Sequence, residues 1–416
     1  MSEHDRSALT QRLSKALLSA GAILPAGLAL NYLLHLVLAR ALSVADFGLF
    51  AYVQSVAAIL ALLAALGFST SLMRFVAAYR INGQLALLRG VIVSSARAVG
   101  LATFVLVALL LIAALQFPGQ RTALLWAAAL VVPLTVDVWR ESCMRGLQRT
   151  AAAILPRQVL MPALCVLIVV LCGVSQASTA MAVVVVSLVV LEWGALVQLR
   201  KALGFLGDTS PVHQTRAWLA SSLPMGGTAL ATLGITRWDL VAVGVWAGVE
   251  AAGPYAAASK TALLASLAAR VVNLVVGPFL AELYHAGELR RFRRLIVLAS
   301  AGTGLAGAPV VVLVLWRPEW VLGVFGDGYL GAAVLLQVLV CGQFVNLLTG
   351  PAGLALAMSR YERLNLMLTL AASLLSLVGL AVLLPIYGVL GAALATSLAL
   401  IALNLTQFFV SVFVIR

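Results

Sequence analysis

Long apolar runs alternate with short polar connections along the whole chain, at about 16–38, 47–68, 90–115, 121–140, 154–173, 178–199, 219–247, 252–280, 295–316, 330–355, 364–385 and 388–414. Each approaches the ~20 residues that a helix rising about 1.5 Å per residue needs to cross a hydrocarbon core of ~30 Å. None shows the short two-residue alternation of a membrane barrel strand, so the runs predict twelve spanning helices and an all-α integral membrane protein. The first run carries Pro25, Asn31 and His35 and is followed by no convincing small-residue cleavage site. It therefore reads as a retained helix and not as a signal peptide.

Composition agrees with that pattern. Hydrophobic residues make up 63% of the 416 and charged residues 10%, against about 25% charged in an ordinary soluble domain. The few charges are also sorted. Arg and Lys concentrate in the N-terminal tail (Arg6, Arg12, Lys15) and in every second connection: Arg74, Arg80 and Arg89, then Arg140, Arg145, Arg149 and Arg157, then Arg200, Lys201 and Arg216. Arg290, Arg291, Arg293 and Arg294, then Arg360 and Arg363, and finally Arg416 continue the series, whereas the intervening connections hold only Arg40, Arg121 and Arg317. Short basic loops face the cytoplasm, so both termini are expected there. This dispersal at membrane edges accounts for the net charge of +13 without nucleic acid, whose partners gather basic residues on one soluble face. Orientation in the membrane and contact with anionic lipid headgroups explain it more simply.

The longest internal polar stretch, about 200–216, separates six spans from six. The expected organisation is a cytoplasmic tail (1–15), an N-terminal lobe (16–199), an inter-lobe linker (200–216) and a C-terminal lobe (217–416). An even number of spans per half makes the halves parallel repeats, related by a pseudo-two-fold axis along the membrane normal, and such repeats rock to alternate access in many transporters. A faint internal echo supports the repeat: Asp46-Phe47-Gly48-Leu49-Phe50-Ala51 corresponds to Ala251-Ala252-Gly253-Pro254-Tyr255-Ala256. Pro25, Pro133, Pro162, Pro224 with Gly226-Gly227, Pro278 and Gly350-Pro351 lie inside apolar runs and predict bent helices, which membrane bundles tolerate by re-satisfying the freed carbonyls.

Ionisable groups at membrane depth are functional candidates. Spans 7 and 8 carry Arg237, Asp239, Lys260 and Arg270. With the turn between those spans centred near Val249-Glu250, Asp239 and Lys260 fall at equal depth on antiparallel neighbours and are expected to form an internal ion pair or an ion-coupling site. Arg237, Arg270 and Lys260 then leave a cationic cavity suited to an anionic group such as a diphosphate. Arg74, Arg97, Asp137, Arg140 and Glu192 are further candidates. Asp137, Arg140, Glu141 and Arg145 sit at helical ion-pair spacings, and Arg97 and Glu192 lie near enough to the membrane edge to snorkel or pair. Trp246, Trp316 and Trp320 at one face and Trp139 and Trp218 at the other read as interfacial belts. Four cysteines without a CxxC, and no clustered histidines, predict no metal site and no disulfide framework.

The segments LARALSVADFGLFAYVQSVAAILALLAALGFSTSLMRFVA, RWDLVAVGVWAGVEAAGPYAAASK followed by GPFLAELYHAGE, VFGDGYLGAAVLLQVL and LLPIYGVLGAALATSLA resemble the polysaccharide-export and O-antigen flippase branch of the multidrug/oligosaccharidyl-lipid/polysaccharide (MOP) flippase superfamily. The resemblance runs from about residue 15 to 414. It implies a V-shaped molecule of two six-helix lobes that moves an undecaprenyl-diphosphate-linked sugar between leaflets, with no enzymatic step and no catalytic residue. Many such flippases have fourteen spans. Twelve bring this chain nearer in helix count to the multidrug and toxin extrusion (MATE) branch and weaken assignment as a lipid II flippase, whose two extra helices form a lipid groove.

The expected substrate is therefore a lipid-linked glycan. No cofactor is expected. Coupling to H+ or Na+ through Asp239, or removal of the glycan outside, are alternatives for directionality. A polysaccharide polymerase or export machinery is a candidate partner, and the expected state is a monomer. A multidrug antiporter would instead need an exposed cavity acid, with Asp239 and Asp137 the candidates. A membrane enzyme would need a longer outer loop than any here, and a non-transporting scaffold would have no reason to keep charges in spans 7 and 8.

Overall fold

A computed structural model describes residues 23–415; the expected cytoplasmic tail, the first residues of span 1 and Arg416 lie outside them. The chain is helical throughout the described spans, as its unbroken apolar runs require where no water can satisfy a backbone amide. In order the helices are α1 (Ile23–Ala41), α2 (Val44–Ala64), α3 (Phe68–Ile81), α4 (Leu85–Gln116), α5 (Arg121–Gly146) and α6 (Thr150–Cys172). Next come α7 (Ala177–Ala202), α8 (Thr215–Gly234), α9 (Trp238–Trp246), α10 (Gly248–Ala265), α11 (Leu267–His285) and α12 (Leu289–Trp316). The series ends with α13 (Pro318–Gly323), α14 (Ala333–Thr349), α15 (Ala352–Ala357), α16 (Glu362–Tyr387) and α17 (Val389–Phe409).

Ten described helices are long and apolar enough to cross a membrane, or twelve if each of two bent pairs is one span. The first pair, α8 and α9, meets at 64°. Pro224 lies inside α8, so the expected bend falls instead at Gly234–Arg237. A Cβ on Gly234 would overlap the Trp238 indole, and only glycine lets that ring fold back over the break. The second pair is α11 itself, bent by 44° between Asn273 and Val275. The eighth expected span, 252–280, is divided between α10 and α11. Ser266, between them, donates its hydroxyl to Leu263 O at 2.7 Å, a local bond that competes with the helical ladder. At Gly350-Pro351 the expected break does occur, with Gly350 at φ +54°, and the bend of α11 falls four residues before Pro278, where a proline ring displaces the helical carbonyl, whereas Pro133 sits within continuous turns of helix.

Much of the surface is apolar: Leu101, Phe104, Leu305 and Trp320 are among many large exposed side chains. Water would not tolerate apolar surface on this scale, and together with the spans it makes this a multi-pass membrane protein.

The described helices form two compact units, Met1–Ala41 with Tyr52–Leu233, and Leu42–Ala51 with Gly234–Arg416. The start of α2 thus counts with the second unit and α8 with the first, two differences from a division at 200–216. In the first unit a Cβ on Gly67, at the break between α2 and α3, would overlap Ser222 O and stand 2.8 Å from Gly226 N. Small residues allow such approach of helix backbones in lipid. Within the second unit Ser43 caps the start of α2, its Oγ accepting from Asp46 N at 3.1 Å and donating to Asp46 Oδ2 at 2.8 Å, which satisfies one of the free N–H groups of the first turn.

Basic connections gather at one end of each unit. In the first, Arg80 donates to Leu147 O at 2.6 Å, and Arg89 Nη1 donates to Gly207 O at 3.0 Å and Thr209 O at 2.7 Å. Val212 N donates to Ala86 O at 3.0 Å, which ties the polar stretch after α7 along the start of α4. In the second, Arg293 Nη2 donates to Ile415 O at 2.6 Å and Arg360 N to the Tyr284 hydroxyl at 3.4 Å. Trp218, expected in an interfacial belt, is buried and donates to the Tyr79 hydroxyl at 2.9 Å.

Candidate functional site

Arg237, Asp239 and Lys260 are brought together in the second unit. The break after α8 makes Arg237 the residue that opens α9, and Asp239 follows in its first turn, where a carboxylate is favoured by the helix dipole. Asp239 is buried; its Oδ2 accepts from the Tyr255 hydroxyl at 2.7 Å and its Oδ1 from Leu240 N at 2.7 Å. Thr396 Oγ1 is buried beside both side chains. Lys260 is half-buried, within electrostatic reach of Arg237 and Asp239.

Asp239 and Lys260 make no salt bridge within 4.0 Å among the described residues. The reason lies in the junction of α9 and α10, which falls at Ala247 and not at Val249-Glu250. Counting eight residues either way from Ala247 pairs Asp239 with Tyr255. Lys260, five residues further along α10, points about 140° away around the helix. Tyr255 was present in the sequence only as part of the internal echo; its depth relative to Asp239 was the signal that would have marked it.

Thr236, Asp239, Ser259, Gln343 and Thr396 border a cavity of about 20 Å³. That suffices for one water-sized species and is far too small for a sugar diphosphate, so this cluster can offer charge at its edge but cannot enclose a headgroup. Arg270, in the first turn of α11, is exposed, and among the described residues its side chain makes no hydrogen bond or ion pair. A cation there opposes the dipole of its own helix, so nothing local explains it. No bond ties it to the Asp239 cluster.

The remaining candidates lie in the first unit. Arg140 is fully buried and joins two carboxylates: Nε donates to Glu192 Oε2 at 2.6 Å and Nη2 to Asp137 Oδ1 at 2.7 Å. Its Nη1 and Nη2 also reach Ala153 O at 3.2 Å, and Arg157 approaches Asp137 Oδ2 at 3.4 Å. Two acids and two arginines balance, and the network joins α5, α6 and α7. The helical spacing of Asp137 and Arg140 was legible; the bond to Glu192 on another helix was not. Arg145 and Glu141 pair on the same face of α5. Arg74 is exposed, donates to Ser221 Oγ at 2.7 Å and has its Cζ 5.3 Å from the Phe75 ring centroid. Arg97 is exposed and lines a groove with Arg200.

Residues 16–284 match the polysaccharide biosynthesis protein family, and the chain belongs to that family. No curated protein matches it by sequence. Among solved structures it is similar to an inward-facing multidrug resistance MATE family transporter of the MOP superfamily, with 17% identity, coverage of 91% of this chain and 93% of that one, and a TM-score of 0.68. It is similar to the inward closed conformation of the lipid II flippase MurJ, with 13% identity, coverage of 93% and 85%, and a TM-score of 0.69. A third likeness is to a MOP superfamily transporter from Pyrococcus furiosus, whose reverse binding-pocket polarity suggests a different function for that protein; here identity is 16%, coverage 96% and 94%, and the TM-score 0.63. The fold is that of MOP transporters.

Proposed function

We propose that this protein is a flippase that carries an undecaprenyl-diphosphate-linked oligosaccharide or polysaccharide repeat unit, of the O-antigen kind, across the bacterial inner membrane by alternating access. The single observation that carries the reading is the charge balance in the second unit: among the described residues Arg237 and Lys260 stand with Asp239 as the one nearby acid, and Arg270 adds an exposed cation. An anionic headgroup is stabilised by that excess, and arginine can hold a diphosphate bidentately. The prenyl tail stays in lipid while the head crosses. With both termini cytoplasmic, the membrane potential assists outward movement of negative charge by about 2.3 kcal/mol per charge per 100 mV. Asp239, beside a water-sized cavity, is the group through which H+ or Na+ would couple. Handover to a polymerase or export complex outside would complete the cycle, with the monomer as the working unit.

A second reading, a multidrug antiporter, is favoured by the likeness to the MATE transporter. It requires an acid open to a cationic amphiphile, whereas Asp239 is buried beneath Tyr255. Equilibrium binding separates the two. Purified protein is expected to retain a polyprenyl diphosphate over the corresponding uncharged polyprenol, with the preference reduced in Arg237→Ala and Arg270→Ala. Equal retention of both lipids, with saturable binding of a cationic dye, would favour the antiporter.

A further inference from the structure

In the first unit α4 and α7 both pack against α5 and leave a groove between them, with α5 as its floor. Its end nearest the basic connections holds Arg97 and Arg200, beside Trp139 and Trp193, in a volume of about 700 Å³. Neither arginine has a hydrogen bond or ion pair among the described residues; the nearby acid, Glu192, is buried against Arg140. Beyond Arg97 the groove continues along α4 as far as Val107, past Gly100 and Phe104, in a second volume of about 490 Å³ that shares Ala96, Trp139 and Leu196 with the first.

This second part offers nothing to a polar ligand. Its hydroxyls are already committed, Thr103 to Val99 O and Thr135 to Val131 O, both at 2.7 Å, and the Trp139 indole donates to Ser95 Oγ at 3.0 Å. Ten residues of α4 separate Arg97 from Val107, about 15 Å of helix, which is one leaflet of a ~30 Å hydrocarbon core. A cationic mouth leading to a dry slot one leaflet deep has the shape and charge of a phosphate-headed lipid. A sugar could not pass along it.

We infer that the α4/α5/α7 groove is a binding site for an anionic glycerophospholipid of the leaflet facing the basic connections, with Arg97 and Arg200 on the phosphate and an acyl chain along Gly100 and Phe104. The site is distinct from the Asp239 cluster and does not depend on what the protein transports.

The test uses purified, delipidated full-length protein titrated with phosphatidylglycerol or phosphatidylcholine of identical acyl chains, with bound lipid counted by native mass spectrometry. At about fivefold per basic residue, the arginine pair is expected to favour phosphatidylglycerol by about thirtyfold at one site. Arg97→Ala with Arg200→Ala abolishes the preference, bringing phosphatidylglycerol down to the level of phosphatidylcholine. Gly100→Leu, at a position where an added Cβ meets nothing within 4 Å, weakens both lipids by placing its side chain in the slot, with an unchanged thermal unfolding profile. A preference that survives the double substitution overturns the site, as does chain binding indifferent to Gly100→Leu. Displacement by inorganic phosphate at comparable concentration would mark an anion site without a chain, and preferential displacement by a polyprenyl diphosphate would mark a substrate site; either contradicts the assignment.

Discussion

Gly48 on α2 and Gly253 on α10 lie backbone against backbone: a Cβ on Gly48 would stand 2.8 Å from Gly253 N and overlap Val249 O, and a Cβ on Gly253 would overlap Val44 O and stand 3.4 Å from Gly48 N. These are the paired glycines of the internal echo, and each is the other's neighbour. The echo thus has a physical cause, since two helices that cross this closely leave room for no side chain at the crossing. Gly48→Ala and Gly253→Ala are each expected to destabilise by about 1–3 kcal/mol, as overpacking does. Thermal unfolding in detergent, with Gly100→Ala as a control that meets open space, measures it; equal melting of all three variants would mean that the helices can separate freely.

Arg140 holds the second prediction. Removing it by Arg140→Met leaves Asp137 and Glu192 buried together with only Arg157, 3.4 Å from Asp137, as a cation, and breaking such a network costs about 3–5 kcal/mol. The triple variant Arg140→Met, Asp137→Asn, Glu192→Gln removes the uncompensated charge and is expected to recover most of the loss. If Arg140→Met alone unfolds no earlier than wild type, the network contributes nothing to holding α5, α6 and α7 together.

Whether a feature is legible in the amino-acid sequence depends on how local its cause is. The spanning helices and the alternation of basic connections are local properties, visible in apolar length and in where Arg and Lys fall, and the bonds of Arg80 to Leu147 and of Arg89 to Thr209 show those connections sharing one end. Helix breaks were harder. Pro224 suggested one, but the chain bends at Gly234, because what decides a bend in lipid is whether neighbours re-satisfy the backbone and whether a ring such as Trp238 needs the space. The partner of Asp239 was misplaced by a turn error of about two residues, enough to exchange Lys260 for Tyr255. The Arg140 to Glu192 bond spans 52 residues and no periodicity within one helix can reveal it.

Tyr255→Phe isolates the bond that the turn error concealed. It leaves one Asp239 oxygen without its donor in a buried site, where a hydrogen bond to a charged group contributes about 1.5–3 kcal/mol. A loss of stability in that range is expected, together with altered dependence of transport on pH if Asp239 carries the coupling ion. Unchanged stability would show that water fills the vacated position at no cost.

Gly234→Ala addresses the broken seventh span. Its methyl group would overlap the Trp238 indole and displace Arg237, so transport is expected to fall while Gly234→Ala with Trp238→Ala recovers part of it. Full activity of the single variant would mean that the position of Arg237 is unimportant.

The most direct test is leaflet reorientation of a fluorescent undecaprenyl-diphosphate oligosaccharide in proteoliposomes, with wild type beside Arg237→Ala and Arg270→Ala. Wild-type protein is expected to expose the probe to the far leaflet, and both variants, folded by their thermal profiles, to lose most of that rate. Absence of wild-type reorientation alongside gradient-driven efflux of a cationic dye would contradict the flippase assignment and leave both arginines without a substrate role.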